Sequence, residues 1–287
     1  MESLNQQSQS QNIDLILDKA YGCIMGALLG DASGTYLEFS SKLIDDKSVK
    51  LSMSMPGGGP HKTAPGQISD DGELTISLLN GLIKSTKSPD LPGSGMLNLK
   101  EHVRMYGKWI QSKPFDIGAT IRASFFKCDI NNPNPERVIK SATKGKSATS
   151  QSNGSLMRIT PLAVWCRNLI DEDVIKAAKL DTSLSHSNIV AQEASALYCL
   201  AIKRIFQNVS NRQDIYQEIK QIAKSTCSND IQSWFELIDI FQKESFPPTD
   251  FSVKKAGGWL RHAFANFAIG RRHRYKCLYS RWYDWMY

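Results

Sequence analysis

Ser69, Asp70 and Asp71 stand side by side in QISDDGELTISLLNGLI, where a loop bounded by glycine and proline gives way to an apolar helical pattern. Two adjacent carboxylates and a hydroxyl make a hard, oxygen-rich donor set, which suits Mg²⁺. Adjacent residues at a helix start point in different directions, so the pair serves two ions better than it chelates one. Capping is the competing role. Asp70 with Glu73 three residues on resembles a capping box, and acids in a first turn suit the helix dipole. A cap, however, accounts for one carboxylate and leaves the other unexplained.

Three further stretches carry groups that do chemistry. Asp31 and Gly34 in GDASGTYLE are residues that end a helix, and Glu38 follows in the setting Tyr36-Leu37-Glu38-Phe39. A carboxylate among apolar and aromatic neighbours is partly desolvated, which raises its pKa and suits acid/base work; its plainer role is a half-exposed loop residue. Small residues with free N–H groups at Ser152-Asn153-Gly154-Ser155, ahead of Leu156-Met157-Arg158, form either an anion site or an N-cap turn. His186 in SLSHSN is a lone histidine before a long helix, a pattern that serves structural hydrogen bonding more often than catalysis.

The elements that must position these groups are helical almost throughout. Apolar residues recur at spacings of three and four over 13–29, 74–84, 100–111, 155–167, 171–180, 188–207, 214–225, 231–243 and 256–268. Leu74, Leu78 and Leu82 share one stripe with Leu79 and Ile83 beside it, and Ala191, Ala194, Leu197, Leu200 and Ile205 do similar work. Alternating β-branched runs are scarce, so the class is all-α. Long loops are predicted over 39–68, 85–98 and 128–155, the first interrupted by PGGGP at Pro56 to Pro60. Loops of this length inside a compact domain are usually functional or mobile. Gly22, Gly26 and Gly30 place a glycine on every fourth residue of the first helix, a stripe that predicts close packing in a soluble core.

Composition excludes several classes. With 41% hydrophobic and 22% charged residues the chain is an ordinary globular one. Asp14, Asp18 and Lys19 interrupt its most apolar early segment, so no membrane span is expected. Residues 1–12 are polar and lack the apolar core of a secretory signal; they read as a disordered lead-in to a single domain over 13–270. Six cysteines without a CxxC pair fit reduced, buried thiols and a cytoplasmic location. The tail 271–287, RRHRYKCLYSRWYDWMY, supplies +4 of the net +7, so overall basicity argues little for a nucleic-acid partner.

Taken in order, these stretches resemble the ADP-ribosylglycohydrolase family. GALLGDASGTYLE (Gly26 to Glu38) matches its GxxxGDAxGxxxE opening, and Ser69-Asp70-Asp71 its threonine-Asp-Asp step. SNGSLMRITP (Ser152 to Pro161) matches its Gly-Asn-Gly…Met-Arg…Pro loop; Ser185-His186 and Gly257-Gly258-Trp259 follow in turn. The resemblance implies an orthogonal bundle of many helices. It further implies two Mg²⁺ ions held partly by Ser69, Asp70 and Asp71, with Glu38 as the acid/base or gating carboxylate. The substrate would be ADP-ribose in glycosidic linkage to a protein side chain, polymer or small molecule. Asn153, Gly154 and Ser155 would face its diphosphate, His186 its ribose, and Asp116 would lie near the cleft. A non-catalytic ADP-ribose-binding or crystallin-like protein of the same fold is the alternative.

The sequence departs from the family pattern in three places. Serine stands for threonine at 69, which keeps the hydroxyl, and for glycine at 152, which costs loop freedom. The family's closing Gly-Gly-Asp-x-Asp-Thr motif, the other side of its metal site, is absent after Gly258. The basic, aromatic tail stands there instead. Read one base out of frame, codons from Gly270 onward permit GGDTDTNACIVGGMIGC. The single codons of Trp and Met force Gly, Gly and Cys at the junctions Trp282-Tyr283, Trp285-Met286 and Met286-Tyr287. The tail is thus expected to be the lost motif read out of frame, and the chain as written to bind Mg²⁺ weakly and turn over little.

Overall fold

The computed structural model of the protein describes residues 2–40, 45–85, 97–207 and 211–244. The expected helix over 256–268, Gly257-Gly258-Trp259 and the tail 271–287 lie outside the described residues. Within them the chain is all-α. The helices are α1 (Glu2–Gly34), α2 (Asp46–Ser52), α3 (Asp70–Ser85), α4 (Leu99–Gln111), α5 (Ala119–Phe125), α6 (Pro135–Ala142), α7 (Thr160–Trp165), α8 (Asp171–Ser183), α9 (Ile189–Phe206), α10 (Arg212–Thr226) and α11 (Asn229–Glu244). Short 3₁₀ turns occupy Gly145–Thr149, Asn153–Ser155 and Cys166–Asn168.

The helix α9 is the spine. Ala191, Ala194, Leu197 and Leu200 are buried along it, and α7, α8, α10 and α11 pack around it. A second group forms where α3 lies between α1, α4 and α7. Leu74, Leu78 and Leu82 of α3 are at most 2% exposed, so each contributes about 1.5–3 kcal/mol of burial free energy. Ile83, expected beside that stripe, is 45% exposed. The N-terminal end of α3, with its acids, is held against the C-terminal end of α1.

Two short helices, α2 and α6, interrupt the predicted loops, and a third, α5, lies in 112–127, where no element was predicted. α2 carries a full capping box between Asp45 and Ser48, and α6 an Asn134 cap with Pro135 in its first turn. α5 follows Gly118 directly. The helix α1 begins within the polar segment read as a lead-in, well before the apolar pattern starts. Its glycine stripe packs less closely than expected. Gly26 is buried, but a Cβ at Gly22 would meet nothing within 4 Å, because Ile13, Leu17 and Tyr21 on that stretch are themselves exposed.

Cys23, Cys128, Cys166 and Cys199 are buried and unbridged, and Cys227 is half-buried and unbridged. Burial pushes the first three thiols up to about 12, which keeps them protonated and inert. No helix among the described residues is long and apolar enough to cross a membrane.

Candidate functional site

Asp31, from the end of α1, caps α3. Its Oδ2 accepts the backbone N–H groups of Ser69 (2.7 Å) and Gly72 (2.8 Å), and its Oδ1 accepts the Ser69 hydroxyl (2.6 Å). Three of the donors clustered at this helix start are therefore satisfied by one carboxylate from another helix. A glycine at 72 allows it, because a Cβ there would sit 2.7 Å from Asp31 Oδ2. Glu73, the expected partner in a local capping box, instead accepts the Trp109 indole N–H at 2.7 Å.

Asp70 and Asp71 are consequently free of capping duty. Asp70 is 7% exposed and accepts only a long bond from the Gly118 N–H (3.3 Å). The Asp71 carboxylate accepts no hydrogen bond from any described residue. Burial first, then the charge of Asp116, push Asp70 up to about 6. Burial, followed by Asp31, Asp70, Glu38 and Asp116, holds Asp71 well above the usual carboxylate range. Asp31 too is raised by burial, despite its three hydrogen bonds.

Glu38 sits in the turn after α1 and joins the same cluster. Burial, then Asp116, Asp70 and Asp31, push its carboxyl up to about 7. Glycine at 59 lets the PGGGP loop lie against this turn: its φ is +66°, and a Cβ would fall 2.5 Å from the Tyr36 carbonyl oxygen. That loop delivers His61, which the sequence reading did not single out. His61 Nε2 lies 3.8 Å from Glu38 Oε2 and 3.6 Å from Asp116 Oδ2. No described lysine or arginine forms an ion pair with Asp31, Glu38, Asp70, Asp71 or Asp116. Several carboxylates, most of them half-buried, are thus gathered with no lysine or arginine paired to them among the described residues, a donor set that fits a divalent cation.

The predicted anion loop is built differently from the acid cluster. Gly154 is buried against Ile121 and the His186 ring. Ser155 is fully buried, and its hydroxyl faces that of Ser195 in α9 at 3.4 Å. Asn153 is half-buried and Ser152 exposed. The loop meets α3 through Thr75, whose hydroxyl reaches the Met157 carbonyl at 3.4 Å.

Beneath the loop runs a fully buried polar network. Arg158 donates to the Gly154 carbonyl (2.6 Å), the Ser185 hydroxyl (2.9 Å), the Tyr106 hydroxyl (3.0 Å) and Asp181 (3.2 Å). Tyr106 and His102 bond the same Asp181 carboxylate. Burial raises Asp181, but Arg158, His102 and Tyr106 outweigh it and hold its carboxyl below the ordinary value.

This network fixes His186. Its Nδ1 faces Ser185 Oγ and its Nε2 faces Ser152 Oγ, both at 2.9 Å. Burial and then the Arg158 charge push the imidazole down to about 3, so it is neutral. Arg158 can only donate to Ser185 Oγ, which leaves the Ser185 proton available to His186 Nδ1; in that tautomer the His186 proton sits on Nε2 and faces Ser152 Oγ. His186 therefore acts from inside, and Ser152 is the exposed end of the chain.

The sequence is similar to known proteins along most of its length. The family described as ADP-ribosylglycohydrolase matches residues 12–275. L543 of Acanthamoeba polyphaga mimivirus, named provisionally as an ADP-ribosyl glycohydrolase, is 27% identical over 215 residues, 72% of this chain and 60% of that protein. The ADP-ribosyl-(dinitrogen reductase) glycohydrolase of Rhodospirillum rubrum is 28% identical over 147 residues, 51% of this chain and 44% of that protein. ADP-ribosylhydrolase ARH3 of Mus musculus is 25% identical over 252 residues, 83% and 62% of the two chains. The chain thus spans between 44% and 62% of the length of these relatives. A solved structure described as an ADP-ribosylglycohydrolase-related protein complex shares the fold, with a TM-score of 0.64 at 18% identity over 94% of this chain and 79% of its own.

Proposed function

Because this chain belongs to the ADP-ribosylglycohydrolase family, we propose that it binds an ADP-ribose-bearing substrate over the Asp70–Asp71 acids and hydrolyses the glycosidic bond at its anomeric carbon, slowly. The observation that supports this best is the cap from Asp31. By satisfying the start of α3 from another helix, it leaves the buried Asp70 and the half-buried Asp71 uncompensated beside Glu38. Such a cluster needs a divalent cation, and Ser69, Asp70 and Asp71 would hold Mg²⁺. Ser69 suits the role because its proton is committed to Asp31, which leaves its lone pairs to face the ion. When bound, the metal supplies positive charge that orients ribose hydroxyls and polarises water.

The chain's own residues divide the rest of the work. Glu38, with its carboxyl pushed up to about 7, takes a proton at Oε from the water that attacks the anomeric carbon and passes it to the departing acceptor as the glycosidic bond breaks. The loop of Asn153, Gly154 and Ser155 binds the diphosphate through its backbone, held in place by Arg158 at the Gly154 carbonyl. His186 holds Ser152 from behind, so that the Ser152 proton is free to point outward. Asp116 keeps Glu38 and Asp70 easily protonated through its charge.

We take turnover to be slow because residues 259–287 hold no Asp-x-Asp-Thr, so that Ser69, Asp70 and Asp71 alone would hold two ions weakly. The same absence favours, as second reading, a non-catalytic ADP-ribose-binding or crystallin-like protein. Hydrolysis of ADP-ribosyl-arginine, ADP-ribosyl-serine and O-acetyl-ADP-ribose in Mg²⁺, beside calorimetry with ADP-ribose, tests these. We expect binding with little or no turnover. Robust turnover would overturn the slow-enzyme part, and neither binding nor turnover would overturn the whole.

A further inference from the structure

His61 is held in a way that a hydrogen bond does not explain. Its Nε2 is buried and has no hydrogen-bond partner. It stands midway between two carboxylate oxygens, 3.6 Å from Asp116 and 3.8 Å from Glu38, beyond the 2.7–3.2 Å range in which an N–H meets an oxygen. The ring meets Phe39 and Phe115 edge-on, at centroid distances of 5.4 and 5.7 Å.

The spacing is that of ligands around an ion. Two ligands bound tetrahedrally at the usual zinc distances of 2.0–2.1 Å lie about 3.3 Å apart. The His61 separations exceed that by only a few tenths of an ångström, and all three ligand atoms lie within 4.8 Å of one another. Backbone strain gathers around the same three residues. Phe39, Lys62 and Lys113, all with φ between 54° and 58°, follow Glu38, follow His61 and precede Asp116 by three. Left-handed backbone is unfavourable at a residue with a side chain, so this arrangement is held by its surroundings.

We infer that Glu38, His61 and Asp116 form a binding site for a first-row transition-metal ion of the zinc class. An imidazole nitrogen beside two carboxylates favours such an ion over Mg²⁺, which prefers oxygen ligands and gains little from nitrogen. The site shares Glu38 with the proposed hydrolytic centre and goes beyond it, since it needs no ADP-ribose. A zinc ion here would engage the Glu38 carboxylate and remove it from proton transfer.

The test uses the full chain stripped of metal. Calorimetry with Zn²⁺ and visible absorption with Co²⁺ should show binding that millimolar Mg²⁺ does not displace, and zinc-edge X-ray absorption should show nitrogen in the coordination shell. His61→Gln and Asp116→Asn, each checked by circular dichroism for intact helix, should weaken Zn²⁺ binding by at least about tenfold, a loss that even a supporting partner's removal brings. The inference is overturned if both folded variants bind Zn²⁺ as the parent does, or if the parent binds none. Calorimetry with ADP-ribose in Mg²⁺ separates the two ideas. Zinc held through His61 without ADP-ribose binding would sink the hydrolase reading alone, and the converse would sink this inference alone.

Discussion

Asp70→Asn should make the metal-free protein more stable and its cation complex weaker. Burial and Asp116 lift the Asp70 carboxyl from 3.8 to about 6, so ionising it costs more in the folded chain than in the unfolded one. At about 1.4 kcal/mol for each pH unit of difference, the folded chain gives up about 3 kcal/mol. Asparagine removes that charge, and its carbonyl still accepts the Gly118 N–H. The pH dependence has a definite sign. A carboxyl with a raised folded value costs nothing below about pH 3, where both states are protonated, and its full penalty applies above about pH 7. In urea unfolding with EDTA, the advantage of the variant should be about 3 kcal/mol at pH 8 and about half that at pH 5. Mg²⁺ at ten times its dissociation constant should stabilise the parent by about 1.4 kcal/mol and the variant by less. A variant no more stable than the parent at pH 8 in EDTA, or an equal gain from Mg²⁺ in both, would refute the reasoning.

Two other outcomes follow from the same structure, and a third from the sequence of the tail. Gly72→Ala should gain about 1 kcal/mol on helix propensity alone, yet its Cβ would lie 2.7 Å from Asp31 Oδ2. We expect the displaced cap to win, with a net loss of about 1–2 kcal/mol in urea unfolding. Arg158→Leu should destabilise by about 3–5 kcal/mol, because it strands the buried Asp181 carboxylate; adding Asp181→Asn should recover part of that loss in a double-mutant cycle. The nucleotides of codons 255–287 should spell Gly-Gly-Asp-x-Asp-Thr in a shifted frame, and a chain carrying that frame should hydrolyse substrate faster than the present one.

Much of the fold was legible because it rests on local periodicity. The leucine stripe of α3 and the small apolar residues of α9 announce their helices and their buried faces. The helices α2, α5 and α6 were not, since seven or eight residues in stretches rich in proline, glycine and asparagine give periodicity too little length. Asn134 with Pro135 was a readable start signal that the surrounding NNPNP obscured. The acids of the site were legible as residue types, but their roles depend on distant partners. Asp31 looked like a helix terminator and proves to cap another helix 38 residues on. Glu193 repeats that device, accepting the Ser228 N–H and hydroxyl at the start of α11. His61 gave only one hint, its place directly after PGGGP; Ser155 faces Ser195 of α9, and His186 is held through Ser185 by the Arg158–Asp181 pair, partners that no spacing reveals.

The central claim is that Asp70 and Asp71 are kept free of capping in order to hold a cation against ADP-ribose. Calorimetry of ADP-ribose binding to the full chain, with EDTA and then with Mg²⁺, measures it most directly. We expect binding to appear with Mg²⁺ and to vanish in Asp70→Asn and Asp71→Asn. Binding of equal strength in EDTA, unchanged by either substitution, would contradict it.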